Sequence, residues 1–183
     1  MTNVFVSFLL AFMGVFTPDK LVKVKVNDSI TVSLPAELKP MTPEDIALRY
    51  PSVRAPLGAF TNPDRVVDFS VNISATQWPD MNHEMAAQFF KASVFHMFDR
   101  TQMLEEGIHE VHGQKYIYFK FESRVNGTKG IGAEQPPILK YTYIQYLLGP
   151  ERTLVFTFTC PRELRPEWQK VADEVMKSIK IKA

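Results

Sequence analysis

Beyond residue 20 the chain repeatedly exchanges apolar and polar side chains at every second position. The clearest stretch sets Val67, Phe69, Val71 and Ile73 against Asp68, Ser70, Asn72 and Ser74. Successive side chains of an extended strand point to opposite faces, so a period of two predicts half-buried β-structure. The same pattern opens the region: Leu21, Val22, Val24 and Val26 flank Lys23 and Lys25, and Ile30, Val32 and Leu34 answer them. Asn27-Asp28 between the two runs predicts a turn, and Pro35 ends the hairpin. Ala55–Thr61, Met103–Val111, Lys115–Val125, Lys140–Leu148 and Thr153–Thr159 read as further strands. Within Met103–Val111, Glu105, Glu106 and Gly107 mark an edge strand or a bulge. The chain is thus predicted to hold about eight strands joined mostly by hairpins, hence a largely antiparallel sheet.

Two segments carry a period near 3.6 instead. Ala86, Phe89, Phe90, Ser93, Val94 and Met97 form one stripe on a helix predicted over Asn82–Phe98. Leu164, Trp168, Val171, Val175 and Ile179 form another over Glu163–Ile179, with Glu167, Lys170, Asp173 and Lys177 opposite. A shorter helix is predicted after Thr42, a good N-cap followed by Pro43 and by Asp45 at capping-box spacing, and stopped by Pro51. Sheet plus covering helices defines an α+β class. Hydrophobic residues make up 45% of the 183, enough for a single core without disulfide or metal staples.

Met1–Thr17 differs from everything after it. It contains no charged residue, and Val4–Phe16 is apolar apart from Ser7 and Gly14. That length falls short of the ~20 residues of a membrane span and matches the apolar core of a secretory signal. No Lys or Arg precedes the run, and no A-x-A site follows it. Residues 1–19 are therefore expected to be a signal or leader segment and 20–183 a single domain. The expected location is periplasmic or secreted, with no integral span once the leader is removed. A cytoplasmic location is the alternative.

The remaining composition removes function classes. A formal charge of +1 argues against a nucleic-acid binder, which needs a basic face to neutralise phosphates. The lone Cys160 excludes an internal disulfide framework and Cys-based metal centres. There is no G-x-S-x-G elbow, P-loop or dinucleotide fingerprint, and Gly127, Gly130 and Gly132 have no helix after them. No catalytic residue and no cofactor is assigned.

Two constellations suit binding. Arg49-Tyr50-Pro51-Ser52-Val53-Arg54-Ala55-Pro56 is irregular and combines residue types enriched at interface hot spots, so Arg49, Tyr50 and Arg54 are the candidate protein-binding residues. The competing reading has the arginines paired with Asp45 or Asp68 and Tyr50 covering the core edge. His109 and His112 are the candidate metal ligands of an alternative reading, although positions three apart on a strand face opposite ways. Tyr116, Tyr118, Tyr141 and Tyr143 fall on neighbouring predicted strands as a cross-strand ladder. Such a ladder lies beneath a helix or, if uncovered, forms a partner-binding face. The stretch Asn126–Leu139 is too long for a simple connection.

The VKVNDSITVSLP hairpin, the VVDFSVNIS strand, the HEMAAQFFKASV helix, the HGQKYIYFKFES strand and the closing PEWQKVADEVMKSIKI helix occur in this order. The arrangement resembles the Mog1/PsbP-like fold, and within it the bacterial PsbP/DcrB-like (DUF1795-type) proteins. The resemblance implies an α/β/α sandwich and a mostly non-enzymatic role, as in photosystem extrinsic subunits, a nuclear-transport GTPase cofactor, periplasmic proteins and chaperones for secreted effectors. It carries over no site residue. The expectation is an exported, non-catalytic protein-binding domain of the cell envelope with an unidentified protein partner. The alternatives are a ligand- or metal-binding envelope protein and a cytosolic chaperone for hydrophobic segments.

Overall fold

The computed structural model describes residues 20–51, 54–127 and 136–182. The expected leader, and Gly130 and Gly132 of the long connection, lie outside the described residues.

The opening hairpin forms as its alternation predicts. β1 (Leu21–Lys25) and β2 (Ile30–Pro35) pair antiparallel with Val24 opposite Val32. The Asn27 side chain shapes the connection, its Oδ1 accepting from the N–H groups of Ser29 and Ile30 at 2.9 Å each. Asn favours turns through this kind of side-chain bond. The other edge of β2 pairs with Lys180–Ile181 at the chain's end, which completes a three-stranded sheet.

The second sheet contains β3 (Lys39–Pro40), β4 (Gly58–Thr61), β5 (Asp68–Ile73), β6 (Arg100–Val111), β7 (Gln114–Val125), β8 (Ile138–Leu147) and β9 (Leu154–Pro161). Its order is β3-β4-β5-β9-β8-β7-β6, antiparallel throughout. The terminal strand of the chain, Lys180–Ile181, is β10. β6 is an edge strand, and its pairing with β7 slips between Met103 and Glu105, the bulge that Glu105-Glu106-Gly107 predicts. His112 and Gly113 join β6 to β7 with φ of 50° and 78°. Two consecutive left-handed residues define a type I′ turn, whose twist matches the flanking strands, and Gly113 meets that demand without strain.

Each face of the large sheet is covered differently. Phe69, Val71, Tyr116, Tyr141, Tyr143, Phe156, Phe158 and Cys160 point inward beneath α3 (Arg165–Lys177) and the small sheet, in one core with Trp168, Val171, Val175, Ile30 and Leu34. The tyrosine ladder is thus the layer beneath a helix. On the outer face α2 (His83–His96) sets Ala86, Phe90 and Val94 on Ile117, Phe119, Phe121, Ile144 and Tyr146. Phe90 stacks on Tyr146 with ring centroids 3.9 Å apart. The result is an α+β sandwich with a helix on either side of the sheet.

Three details depart from the sequence reading. The strand expected over Ala55–Thr61 begins only at Gly58, and α1 (Pro43–Arg49) is capped by Thr42 as expected. The α2 stripe is narrower than its periodicity: Phe89 and Met97 remain exposed because the helix rests on the sheet through Ala86, Phe90 and Val94. The polar face of β5 is less exposed than its alternation suggests, since Asp68 and Ser70 are buried and only Asn72 is part-exposed.

Candidate functional site

α2 covers only the β6–β7–β8 side of the outer face. Across β5, β9 and the start of β8 the same face presents Asp68, Ser70, Asn72, Thr157, Thr159 and Lys140, and no helix among the described residues covers it. These side chains floor an open groove of about 810 Å³. One wall is Arg49, Tyr50, Arg65 and Val66; the other is Pro137, Ile138 and Leu139, with Pro161 and Glu163 at the end. The Ser, Thr and Asn positions alternate with the apolar inward residues of β5 and β9, so the period of two that builds the core also builds the groove.

The wall that carries Arg49 is fixed by charge. Arg49 Nη1 lies 2.6 Å from Asp68 Oδ1, and its Nη2 donates to the Arg65 carbonyl at 2.7 Å. Arg65, at φ 59°, returns its guanidinium to Asp45 on α1. Thr61 Oγ1 also donates to Asp68 Oδ1 at 2.7 Å. α1 is thus tied to the β4–β5 turn by two ion pairs in opposite directions. The pairing that the sequence weighed for Arg49 is present, and Arg49 lines the groove as well; the two roles coexist. Burial raises the Tyr50 phenol above its ordinary value of 10, partly offset by a hydrogen bond with Ser70. Tyr50 therefore stands at the groove as a neutral aromatic with a polar end, a residue type suited to contacts that are half apolar and half hydrogen-bonded.

Arg54 lines a neighbouring depression of about 760 Å³ with Ala55, Ile73, Gln77 and Arg152, and Asn72 borders both spaces. Arg49 and Tyr50 on the one side and Arg54 on the other thus line two adjoining concavities. Ser52 and Val53 lie outside the described residues.

His109 and His112 occupy different settings. His109 faces inward from β6, stacks on Tyr118 at 4.5 Å and meets Gln145 at 3.2 Å; His112 is exposed in the type I′ turn. Among the described residues no group of three or more His, Cys, Asp or Glu could hold a metal ion. Cys160 is fully buried, and burial pushes its thiol up to about 12, so no thiolate is available at neutral pH. It packs as a small hydrophobe.

Sequence reasoning missed the polar cluster beneath α3. Lys120, expected as one more alternating residue of β7, is buried between Glu105 Oε2 and Asp173 Oδ1, each at 2.8 Å, with its ammonium 4.9 Å from the Tyr143 ring centre. Burial opposes its charge, but the two carboxylates outweigh that and raise its pKa. The sequence pattern places Asp173 on the charged side of the last helix. No spacing within either element marks that pairing, because the two residues meet only through the packing of α3 on the sheet.

No protein-family model matches the sequence, and no curated protein matches it. Solved structures do. Cyanobacterial PsbP from Synechocystis sp. PCC 6803 aligns with a TM-score of 0.59 at 11% identity over 92% of this chain and 96% of that one. LpqN of Mycobacterium tuberculosis, described as involved in cell envelope biogenesis, aligns at 0.55 and 11% over 90% and 91%. The Ran-binding protein Mog1p of Saccharomyces cerevisiae aligns at 0.53 and 12% over 89% and 96%. Identities this low speak to architecture alone, and the architecture is that of the Mog1/PsbP-like fold.

Proposed function

We propose that the chain is an exported, non-catalytic protein-binding domain of the cell envelope, of the PsbP/DcrB-like type. In this reading residues 1–19 are its leader and the groove at Arg49 and Tyr50 is its binding surface. The observation that carries the reading is the part of the outer face that no described helix covers: a polar floor of Ser70, Asn72, Thr157 and Thr159, walled by Arg49 and Tyr50, continuous at Asn72 with the depression at Arg54. Such a surface offers hydrogen bonds and aromatic contact over an extended path, which suits a polypeptide segment. The folds of a Ran-binding protein and an envelope-biogenesis protein accord with it. No helix among the described residues is long and apolar enough to cross a membrane.

The test combines location with capture. Intact-mass measurement of the protein from its native host is expected to find a chain lacking the leader, in the envelope fraction. In-cell crosslinking is expected to yield a protein partner that Tyr50→Ala and Arg54→Ala each lose. Met1 retained on cytosolic protein overturns the export reading. Capture unchanged by both substitutions overturns the groove.

One observation favours a second reading, the chaperone for hydrophobic segments. Met85 and Phe89 lie one turn apart on α2 and are 60% and 44% exposed, with Phe89 against Trp78 at 5.5 Å. Partner capture lost in Met85→Ser/Phe89→Ser, and kept in Tyr50→Ala, would select it.

A further inference from the structure

Arg100 opens β6 and Arg124 stands near the end of β7, and the two are register partners. Directly opposed residues of an antiparallel pair share a face and lie within reach, where like charges repel. Arg162, in the 3₁₀ turn that precedes α3, joins them in lining one depression of about 380 Å³. Gln102 and Ser123 add neutral polar groups to it. The one acid among the described residues that line it is Glu122, and that carboxylate is already held by Arg165 at 2.6 Å. Among the described residues, none of Arg100, Arg124 and Arg162 is in an ion pair. A chain with a formal charge of only +1 therefore gathers in one concavity three guanidinium groups that no described carboxylate pairs.

We propose that this depression binds a phosphate-type dianion. The planar fork of Arg matches phosphate oxygens with paired, charge-assisted hydrogen bonds. A singly charged carboxylate leaves two of the three cations unmatched, whereas a phosphate monoester carries between one and two negative charges at neutral pH. The volume falls in the usual range of small-ligand sites, roughly 300–1,000 Å³, and at its lower end. It admits a phosphate group with a small substituent. A bound anion offsets the repulsion that the Arg100–Arg124 register imposes on this end of the sheet. The site shares Pro137 and Leu139 with the Arg49–Tyr50 groove but none of its charged groups, so it stands independently of the protein-binding reading.

Isothermal titration of the full chain at pH 7.5 and low salt tests this, with inorganic phosphate as ligand. Wild type is expected to bind phosphate, Arg100→Gln and Arg124→Gln to bind it at least tenfold more weakly, and Lys170→Gln to match wild type. Acetate is expected to bind at least tenfold more weakly than phosphate. Glycerol 3-phosphate and phosphatidylcholine vesicles containing phosphatidic acid separate the sources. Binding of the soluble ester assigns a free phosphate compound, and binding of the vesicles alone assigns a lipid headgroup. A second readout is the urea midpoint. Without anion, Arg124→Gln is expected to equal or exceed wild type; with phosphate, wild type is expected to gain more. Failure of inorganic phosphate, the soluble ester and the vesicles to bind overturns the proposal. So does binding that is equal in wild type, Arg100→Gln and Arg124→Gln.

Discussion

A backbone carbonyl decides the protonation of His109. Gln145 is fully buried and its Nε2 donates to the Met176 carbonyl at 3.3 Å, which can only accept. The amide is therefore oriented with Oε1 toward His109 Nε2 at 3.2 Å, and the neutral imidazole carries its proton on Nε2. Burial lowers the His109 pKa from its ordinary 6.5; Lys120 and Lys177 push the same way, and Gln145 and Glu105 offset this only in part. Within the interval below 6.5 the unfolded chain binds the proton and the folded chain does not. The stability that this group contributes is thus complete above about 6.5 and declines as the pH falls through that interval. Glu105, held low chiefly by its hydrogen bond to Lys120, adds its own loss only from about 4.5 downward. Urea unfolding at pH 7.5 and at pH 5.5 is expected to show a smaller drop in stability for His109→Gln than for wild type. An equal drop would show that His109 is not the group responsible. The sequence alone offered two histidines near a turn; what distinguishes them is a carbonyl at the end of α3, more than sixty residues away.

Among the elements, α1 and α3 are held by opposite means. α3 buries Trp168, Val171, Ala172, Val175 and Met176, and its stripe was plain in the sequence because burial imposes a period. α1 buries only Asp45, and its attachment is the crossed pair Arg49–Asp68 and Arg65–Asp45. Charge pairing leaves no period, so Thr42, Pro43 and Pro51 announced the limits of α1 while its orientation stayed illegible. For the same reason the polar side of β5 read as a solvent face, when Arg49 and Thr61 had claimed Asp68. Asp68→Ala removes the carboxylate and leaves Arg49 and Thr61 without it, an expected loss of about 2–4 kcal/mol. The loss is expected to be local in character. Hydrogen exchange over residues 43–49 should accelerate more than exchange over β7 and β8. A uniform acceleration would mean that the clamp supports the whole sheet and not the groove wall. Arg49→Lys is expected to keep only part of the stability, since a single ammonium cannot serve Asp68 and the Arg65 carbonyl with the same fork geometry.

At the scale of the whole molecule, the small sheet is completed by β10, which follows α3 directly. Strand runs of five to twelve residues declare themselves by alternation, but two-residue strands such as β3 and β10 are too short to show a period. The outer face that no described helix covers was legible only in part: the polar positions of β5 and β9 were evident, while the reach of α2 depended on where Phe90 stacks. β10 matters because the small sheet is otherwise a lone hairpin, and an isolated two-stranded hairpin is marginal in water. Lys180 and Ile181 pair with Thr31 and Ile30, Lys182 N donates to the Ser29 carbonyl at 2.8 Å, and Ile181 packs against the inner core. Just before them, Ser178 Oγ accepts from Ser33 N at 2.8 Å, so the end of α3 and β2 are already in register when β10 begins. Truncation after Ile179 removes the strand and the Ile181 contact while leaving the α3 stripe intact. The expected cost is about 2–4 kcal/mol, from a part-buried isoleucine and the lost ladder bonds. The urea midpoint should fall with little change in slope, because the large sheet and α3 still unfold together. Protection of β1 amides should fall further than that of β9. If the midpoint instead stays where it is, the β1–β2 hairpin is held by its packing on α3 alone and β10 is only an adornment of its edge.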